Sequence, residues 1–236
     1  MVIPDDKTRT GHPVLGILGG LGPAAGAEFF ARFTAAWPAH SDQGHPKVLL
    51  WSDPTVPDRS AALLGRGPDP GQHLRSGVAF LRELGADVVA VPCNTAFGFL
   101  EPDQRLPDIV AITVAAAAAR AEAGWLLATT GTCATGLYHR AAERGGLRLE
   151  VPEAATQSQV SAAIGQVKGG MPEQAGRTLG RLLSRVPPGC VPILGCTELS
   201  LAMRHVPDPP PAADSVQALA DECVRLLRQA SAAACA

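Results

Sequence analysis

Short apolar runs alternate with longer stretches whose apolar residues recur at helical spacing, and the alternation continues down the chain. Val14–Leu18 is a strand-length run that ends in Gly19-Gly20-Leu21-Gly22-Pro23. Pro23 suits the first position of a helix over Ala24–Trp37. Lys47–Trp51 reads as a second strand closing on Ser52-Asp53-Pro54, and Gln72–Leu84 as a helix stopped at Gly85. Asp87–Val91 is a third strand, followed at once by Pro92-Cys93-Asn94-Thr95, and Ile109–Ile112 a fourth. A second series begins with a helix over Thr113–Glu122 and a strand over Gly124–Ala128 that ends in Thr129-Thr130-Gly131-Thr132. A helix (Cys133–Arg144), a strand (Leu147–Glu150) and two helices (Gln157–Val167, Glu173–Val186) follow. Strand Cys190–Leu194 leads into Gly195-Cys196-Thr197-Glu198, and a proline-rich linker, Pro207–Pro211, precedes a last amphipathic helix over Asp214–Gln229.

Strands alternating with helices predict an α/β fold in which parallel sheets are covered on both faces. Ligands of such sheets bind beyond the carboxyl ends of the strands. Gly19–Pro23, Ser52–Asp53, Cys93–Thr95, Thr129–Thr132 and Cys196–Glu198 all follow predicted strand ends, so the reactive groups gather at one edge. There is also an internal echo: strand, small residue, cysteine, then hydrogen-bonding side chains, at Cys93 and again at Cys196, 103 residues later in a chain of 236. Two similar halves facing each other would set the cysteines on opposite walls of one cleft.

Composition narrows the class. Hydrophobic residues make up 46% and charged residues 18%, and the formal net charge is −2, so no nucleic-acid or membrane-surface partner is indicated. No unbroken apolar stretch reaches the roughly 18 residues of a membrane span. Met1–His12 is polar, reads as a short disordered arm, and has no apolar signal core, which favours the cytoplasm. Six cysteines in such a chain do not suggest a disulfide framework, and neither Cys-x-x-Cys nor a Cys/His cluster of metal-ligand spacing occurs. The six histidines lie outside the strand-end motifs and read as surface or satisfied residues; Ser60 and Ser200 lack a nucleophile elbow.

Paired cysteines suit one chemistry. Inverting a carbon centre takes a proton from one face and returns one to the other, which needs two groups that exchange the roles of base and acid. A free thiol ionises near ~8.5, low enough to serve if its surroundings help. Cys93 and Cys196 each stand at the start of a predicted helix, where backbone N–H groups favour thiolate. Buried core cysteine is the bland alternative for either one; matched strand-end settings argue against it for the pair. Cys133, Cys190, Cys223 and Cys235 lack this setting.

Gly16-Ile17-Leu18-Gly19-Gly20-Leu21-Gly22-Pro23, Pro92-Cys93-Asn94-Thr95-Ala96 and Gly195-Cys196-Thr197-Glu198-Leu199 resemble three signatures of the aspartate/glutamate racemase family. Val56-Pro57-Asp58-Arg59-Ser60, Thr129-Thr130-Gly131-Thr132 and Gln166-Val167-Lys168-Gly169-Gly170 are similar to three more, in the family's order. The resemblance implies two α/β domains related by a pseudo-twofold axis: residues 12–113 with 211–236, carrying Cys93, and 114–210, carrying Cys196. It implies Cys93 and Cys196 as the catalytic pair, and neither pyridoxal phosphate nor metal. It implies that Arg59 and Lys168 hold the carboxylates of a small acidic amino acid. Asn94, Thr95, Thr130 and Thr197 would line its α-carboxylate and amino group, with Gly22 and Glu198 also at the substrate. A homodimer is left open as the assembly.

The chemistry of these residues agrees, since arginine grips carboxylates through a bidentate fork. Donors around the α-carboxylate would also stabilise charge that develops when the Cα proton leaves. Taken singly, Arg59 and Lys168 would read as solvated surface charges; the motif context reverses that for Arg59, and less firmly for Lys168. One departure stands out: Phe97 follows the Cys-Asn-Thr-Ala run where aspartate racemases commonly carry histidine, which bears on substrate identity more than on mechanism. Other readings are a dinucleotide fingerprint over Gly20, Gly22 and Ala25, weakened by the N–H that Pro23 lacks. A non-catalytic binder of an acidic metabolite, a hydantoin racemase, a cis-dicarboxylate isomerase or a malonate decarboxylase would also use this scaffold. Retention of both cysteines favours two-sided proton transfer, and aspartate over glutamate is the expected substrate.

Overall fold

The computed structural model describes residues 12–234, so the polar arm, His12 apart, lies outside the described residues. In chain order the elements are β1 (Val14–Gly19), α1 (Pro23–Ala36), β2 (Lys47–Ser52), α2 (Arg59–Leu63), α3 (Gly71–Glu83) and β3 (Val88–Ala90). A 3-10 segment, Asn94–Gly98, and α4 (Ile109–Ala118) follow, then β4 (Ala123–Leu127), α5 (Thr130–Ala134), α6 (Leu137–Gly145) and β5 (Arg148–Glu150). The remainder is α7 (Ala154–Lys168), α8 (Pro172–Leu183), β6 (Cys190–Leu194), α9 (Thr197–Met203), β7 (Ala213–Asp214) and α10 (Ser215–Ala234).

All the strand pairings are parallel, and the strands form two sheets with orders β2-β1-β3 and β5-β4-β6-β7. The first three strands of each half therefore take the same arrangement, the first in the middle, the second and third on either side. Cys93 follows β3 and Cys196 follows β6, the third strand of each set. That is the sequence echo in three dimensions. Alternation along β4 and β6 splits the second sheet's side chains between two cores. Leu126 and Ile193 join the core shared with the first half, whereas Trp125, Leu127 and Leu194 pack with residues of α7, α8 and α9.

Two elements depart from the sequence reading. The fourth strand expected at Ile109–Ile112 is the first turn of α4, because the Asp108 carboxylate accepts from the N–H groups of Val110 and Ala111 and so caps a helix. A short continuous apolar run suits a buried helix as well as a buried strand, and here the cap decides. The helix expected over Cys133–Arg144 is two, α5 and α6, broken at Gly136, whose φ of +67° a helix cannot continue through. Asp214 repeats the device of Asp108, accepting from Val216 and Gln217 N–H at the head of α10.

The helices begun by these two caps cross over. α4 packs on α6, β4, β6 and β7 of the second sheet, whereas α10 packs on α1, β1 and β3 of the first. A boundary between residues 113 and 114 falls inside α4, and β7 pairs with β6 although it lies beyond residue 210.

A buried charge cluster ties the halves together. Glu28 on α1, 5% exposed, pairs with Arg32 at 2.7 Å and with Arg204, just beyond α9, at 2.8 Å. Arg32 also meets Asp214 at 2.7 Å and donates to Ser200 O, and Ser200 Oγ donates to Asp214 at 2.6 Å. α9 and β7 are thereby fastened to α1. No helix among the described residues is long and apolar enough to cross a membrane.

Candidate active site

The glycine loop after β1 sets the entrance. Gly20 has φ +85°, and a Cβ there would stand 2.3 Å from the backbone of Asp53, so only glycine lets the loop after β2 cross so closely. That crossing brings Val56–Arg59 over Leu21. Arg59 opens α2, and its guanidinium donates to the carbonyls of Val56 at 3.1 Å, Pro57 at 3.0 Å and Leu21. Its Nε is buried without a partner among the described residues. Ser60, one residue on, accepts from Gly131 N–H at 3.1 Å, which docks α2 on α5 of the other half.

Cys93 and Cys196 are both buried, and each stands at the N-cap position of the segment that follows it, with no capping hydrogen bond from its side chain. Burial pushes the Cys93 thiol up; the Arg59 guanidinium opposes that, and the Glu198 carboxylate reinforces it. Burial also pushes Cys196 well up, helped by Glu198 and opposed by Lys168. Burial therefore works against the thiolate that a helix start favours.

Glu198 is the group common to both cysteines. It is 6% exposed, and its Oε2 accepts from Cys196 Sγ at 3.1 Å and from Thr197 Oγ1 at 3.3 Å. Its Oε1 faces the glycine loop: a Cβ on Gly22 would lie 2.5 Å from it. A carboxylate thus stands before the N-terminus of α1, where a dinucleotide reading needs a pyrophosphate, and like charges there are repulsive. Gly22, Arg59, Cys93, Lys168, Cys196, Thr197 and Glu198 are brought to one region spanning both halves.

The remaining predicted residues are placed differently. Asn94 is engaged at both ends of its amide, accepting from Tyr138 OH at 2.7 Å and donating to Ser215 Oγ at 3.0 Å. Thr95 Oγ1 lies 3.0 Å from Thr132 Oγ1 and 3.3 Å from Thr129 Oγ1, in a hydroxyl cluster that joins the two halves. Thr130 is exposed, with its hydroxyl 3.5 Å from Ser161 Oγ. Lys168 ends α7 and is also exposed, though its charge reaches Cys196. Phe97 lines a 630 Å³ cavity with Asp69, Arg75, Asp108, Leu137 and Arg140, a cavity that includes neither cysteine. Tyr138, Ser215 and Thr132 were missed as supports of the site. Thr132 stood in a recognised motif, but nothing local to Tyr138 or Ser215 announces their partners.

Among the described residues, no group of three or more His, Cys, Asp or Glu side chains is placed to hold a metal ion. The five described cysteines are free.

Two like-ordered parallel sheets each carry a buried thiol just past the third strand, and one carboxylate lies close enough to act on both thiols. The profile of the Asp/Glu/hydantoin racemase family matches residues 18–223. The chain belongs to that family. It is 26% identical over 225 residues to a broad specificity amino-acid racemase of Bacillus subtilis (strain 168), covering 89% of this chain and 96% of that one. Its fold is similar to the aspartate racemase of Picrophilus torridus, with a TM-score of 0.79 at 24% identity, over 93% of this chain and 94% of the other. A glutamate racemase isoform from Bacillus anthracis shares the fold at a TM-score of 0.58 and 18% identity, over 93% and 83% of the two chains.

Proposed function

We propose that this racemase acts on an acidic amino acid, aspartate ahead of glutamate, by proton transfer between Cys93 and Cys196 with no bound cofactor. The observation that carries the reading is the charge pattern around the thiols. Glu198 is a buried carboxylate beside both, Arg59 lies on the Cys93 side with an unpartnered buried Nε, and Lys168 lies on the Cys196 side. Such a pattern complements a zwitterion with an extra carboxylate. Glu198 would receive the ammonium, and Arg59 and Lys168 the two carboxylates. A buried donor without a partner costs about 1–3 kcal/mol, and a substrate oxygen would remove that cost. The broad specificity named for the Bacillus subtilis relative supports an amino-acid substrate in general. The acidic preference rests on Arg59 and Lys168.

In the reaction one cysteine, as thiolate, takes the Cα proton while the other, as thiol, delivers its proton to the opposite face; nothing is oxidised or reduced. Cys196 Sγ–H already points at Glu198 Oε2, so that carboxylate is placed to accept the proton when bound ammonium and Lys168 favour the thiolate. We propose two units, residues 12–113 with 211–236 and residues 114–210, with α4 and β7 lying across the division.

The test is Cα–H exchange in D₂O, followed by NMR, for aspartate, glutamate, alanine and a 5-substituted hydantoin. Aspartate should exchange fastest, and Cys93→Ser and Cys196→Ser should each abolish racemisation in a folded protein, because serine keeps the shape but is a far weaker acid. Near-native turnover in either variant would overturn the two-thiol reading. Fastest exchange of alanine or the hydantoin would overturn the acidic one.

A further inference from the structure

One side chain touches both thiol loops. Tyr138, the single tyrosine of the chain, is fully buried on α6. Its hydroxyl donates to Asn94 Oδ1 at 2.7 Å, and Asn94 directly follows Cys93. The Asn94 amide in turn donates to Ser215 Oγ, itself fully buried at the head of α10. The ring of Tyr138 lies against Gly195, directly before Cys196: a Cβ there would stand 3.1 Å from its Cε2 and Cζ. A side chain at position 195 would also meet Leu126 Cδ1 at 2.7 Å, so the glycine allows the loop to rest on the ring. Burial raises the phenol far above its usual range. It therefore stays a hydrogen-bond donor throughout the working pH range.

We propose that Tyr138 is a positioning residue that sets the separation of the two thiols by joining Asn94 on one side to Gly195 on the other. The proposal rests on the two-thiol reading above. Proton transfer to opposite faces of one carbon requires both sulfurs at near-attack distance together, and a misplacement of about 1 Å costs on the order of a hundredfold in rate. The loss of one buried neutral hydrogen bond is, by contrast, a modest part of folding stability. Losing the hydroxyl should accordingly show in turnover far more than in folding.

Tyr138→Phe keeps the ring against Gly195 and releases Asn94. It is expected to fold, to lower kcat about 10- to 100-fold, and to leave KM within about threefold, the signature of a contact that matters in the transition state alone. The primary isotope effect on Cα-deuterated substrate should grow, because chemistry becomes more rate-limiting. A role confined to folding would instead lower the active fraction and leave the isotope effect unmoved. Native kcat, a loss carried by KM, or a lost kcat with an unchanged isotope effect each overturns the proposal. If Tyr138→Phe does not fold, Ser215→Ala frees the other end of the Asn94 amide. It should lower kcat severalfold with KM unmoved, and native kcat there overturns the proposal equally. The cysteine variants separate the two readings. Turnover without a cysteine sinks the thiol mechanism, whereas inactive cysteine variants beside a native-like Tyr138→Phe sink the positioning role alone.

Discussion

Arg59→Ala removes a positive charge and three hydrogen bonds to the carbonyls of Leu21, Val56 and Pro57. Those carbonyls can be rehydrated because the residue is half-buried, so the stability loss should be about 1–3 kcal/mol. The catalytic loss should be larger. Truncating one partner of a buried, hydrogen-bonded charge pair costs on the order of 2–5 kcal/mol. At about 1.4 kcal/mol per factor of ten, kcat/KM for aspartate should fall roughly thirty- to several-thousand-fold. Alanine, with no side-chain carboxylate, should lose much less. Arg59→Lys should recover only part, since one ammonium cannot hold the loop carbonyls and still present a fork to the substrate. The pH profile gives an independent sign. The guanidinium lowers the Cys93 thiol against its burial, so without it the thiol rises further and the limb of kcat/KM set by Cys93 moves to higher pH. The assay is kcat/KM against pH for aspartate and alanine on the wild type and both variants. A loss under threefold for aspartate would refute the reasoning. An equal loss for both substrates would show that Arg59 serves the loop and not the carboxylate.

Glu198→Gln replaces a negative charge 3.1 Å from Cys196 Sγ by a neutral amide. Burial and that carboxylate both hold the thiol up, so the variant should ionise Cys196 at lower pH. Alkylation rate by iodoacetamide against pH, in a Cys93→Ser background, measures it, and an unmoved or higher midpoint contradicts the assignment. Glu28→Ala leaves Arg32 with Asp214 and the Ser200 carbonyl and unpairs the 63%-exposed Arg204, which water can solvate. The expected cost is about 2–3 kcal/mol, below the usual range for breaking a fully buried pair. At about 2–4 °C per kcal/mol for a domain of this size, the thermal midpoint should drop by roughly 5–10 °C. A midpoint within a degree of the wild type would mean that the cluster does not hold α1 to α9.

The α/β class, the parallel sheets and the strand-end placement of both cysteines were legible along the chain, because each depends on residues within a few positions of one another. Strand-length apolar runs, Pro23 at a helix start and Gly85 past a helix end are local devices that work in the same way in any context. Ile109–Ile112 misled because a short apolar run carries no period of its own, and the capping role of Asp108 settles it only through hydrogen bonds to Val110 and Ala111. The family resemblance also led to the expectation of thiols, a guanidinium and a carboxylate in one site, but not to how they balance. The helix-start argument favoured thiolate, and burial opposes it, because desolvation depends on everything packed around the sulfur rather than on its neighbours in sequence. Phe97, two residues past Thr95, lines a cavity without either cysteine, which adjacency along the chain could not reveal. Likewise, Asn94 meets Tyr138 and Ser215 across 44 and 121 positions, and Glu28 meets Arg204 across 176. Contacts that distant leave no period or spacing in the sequence; they arise only when two sheets of like order exchange helices and close on each other.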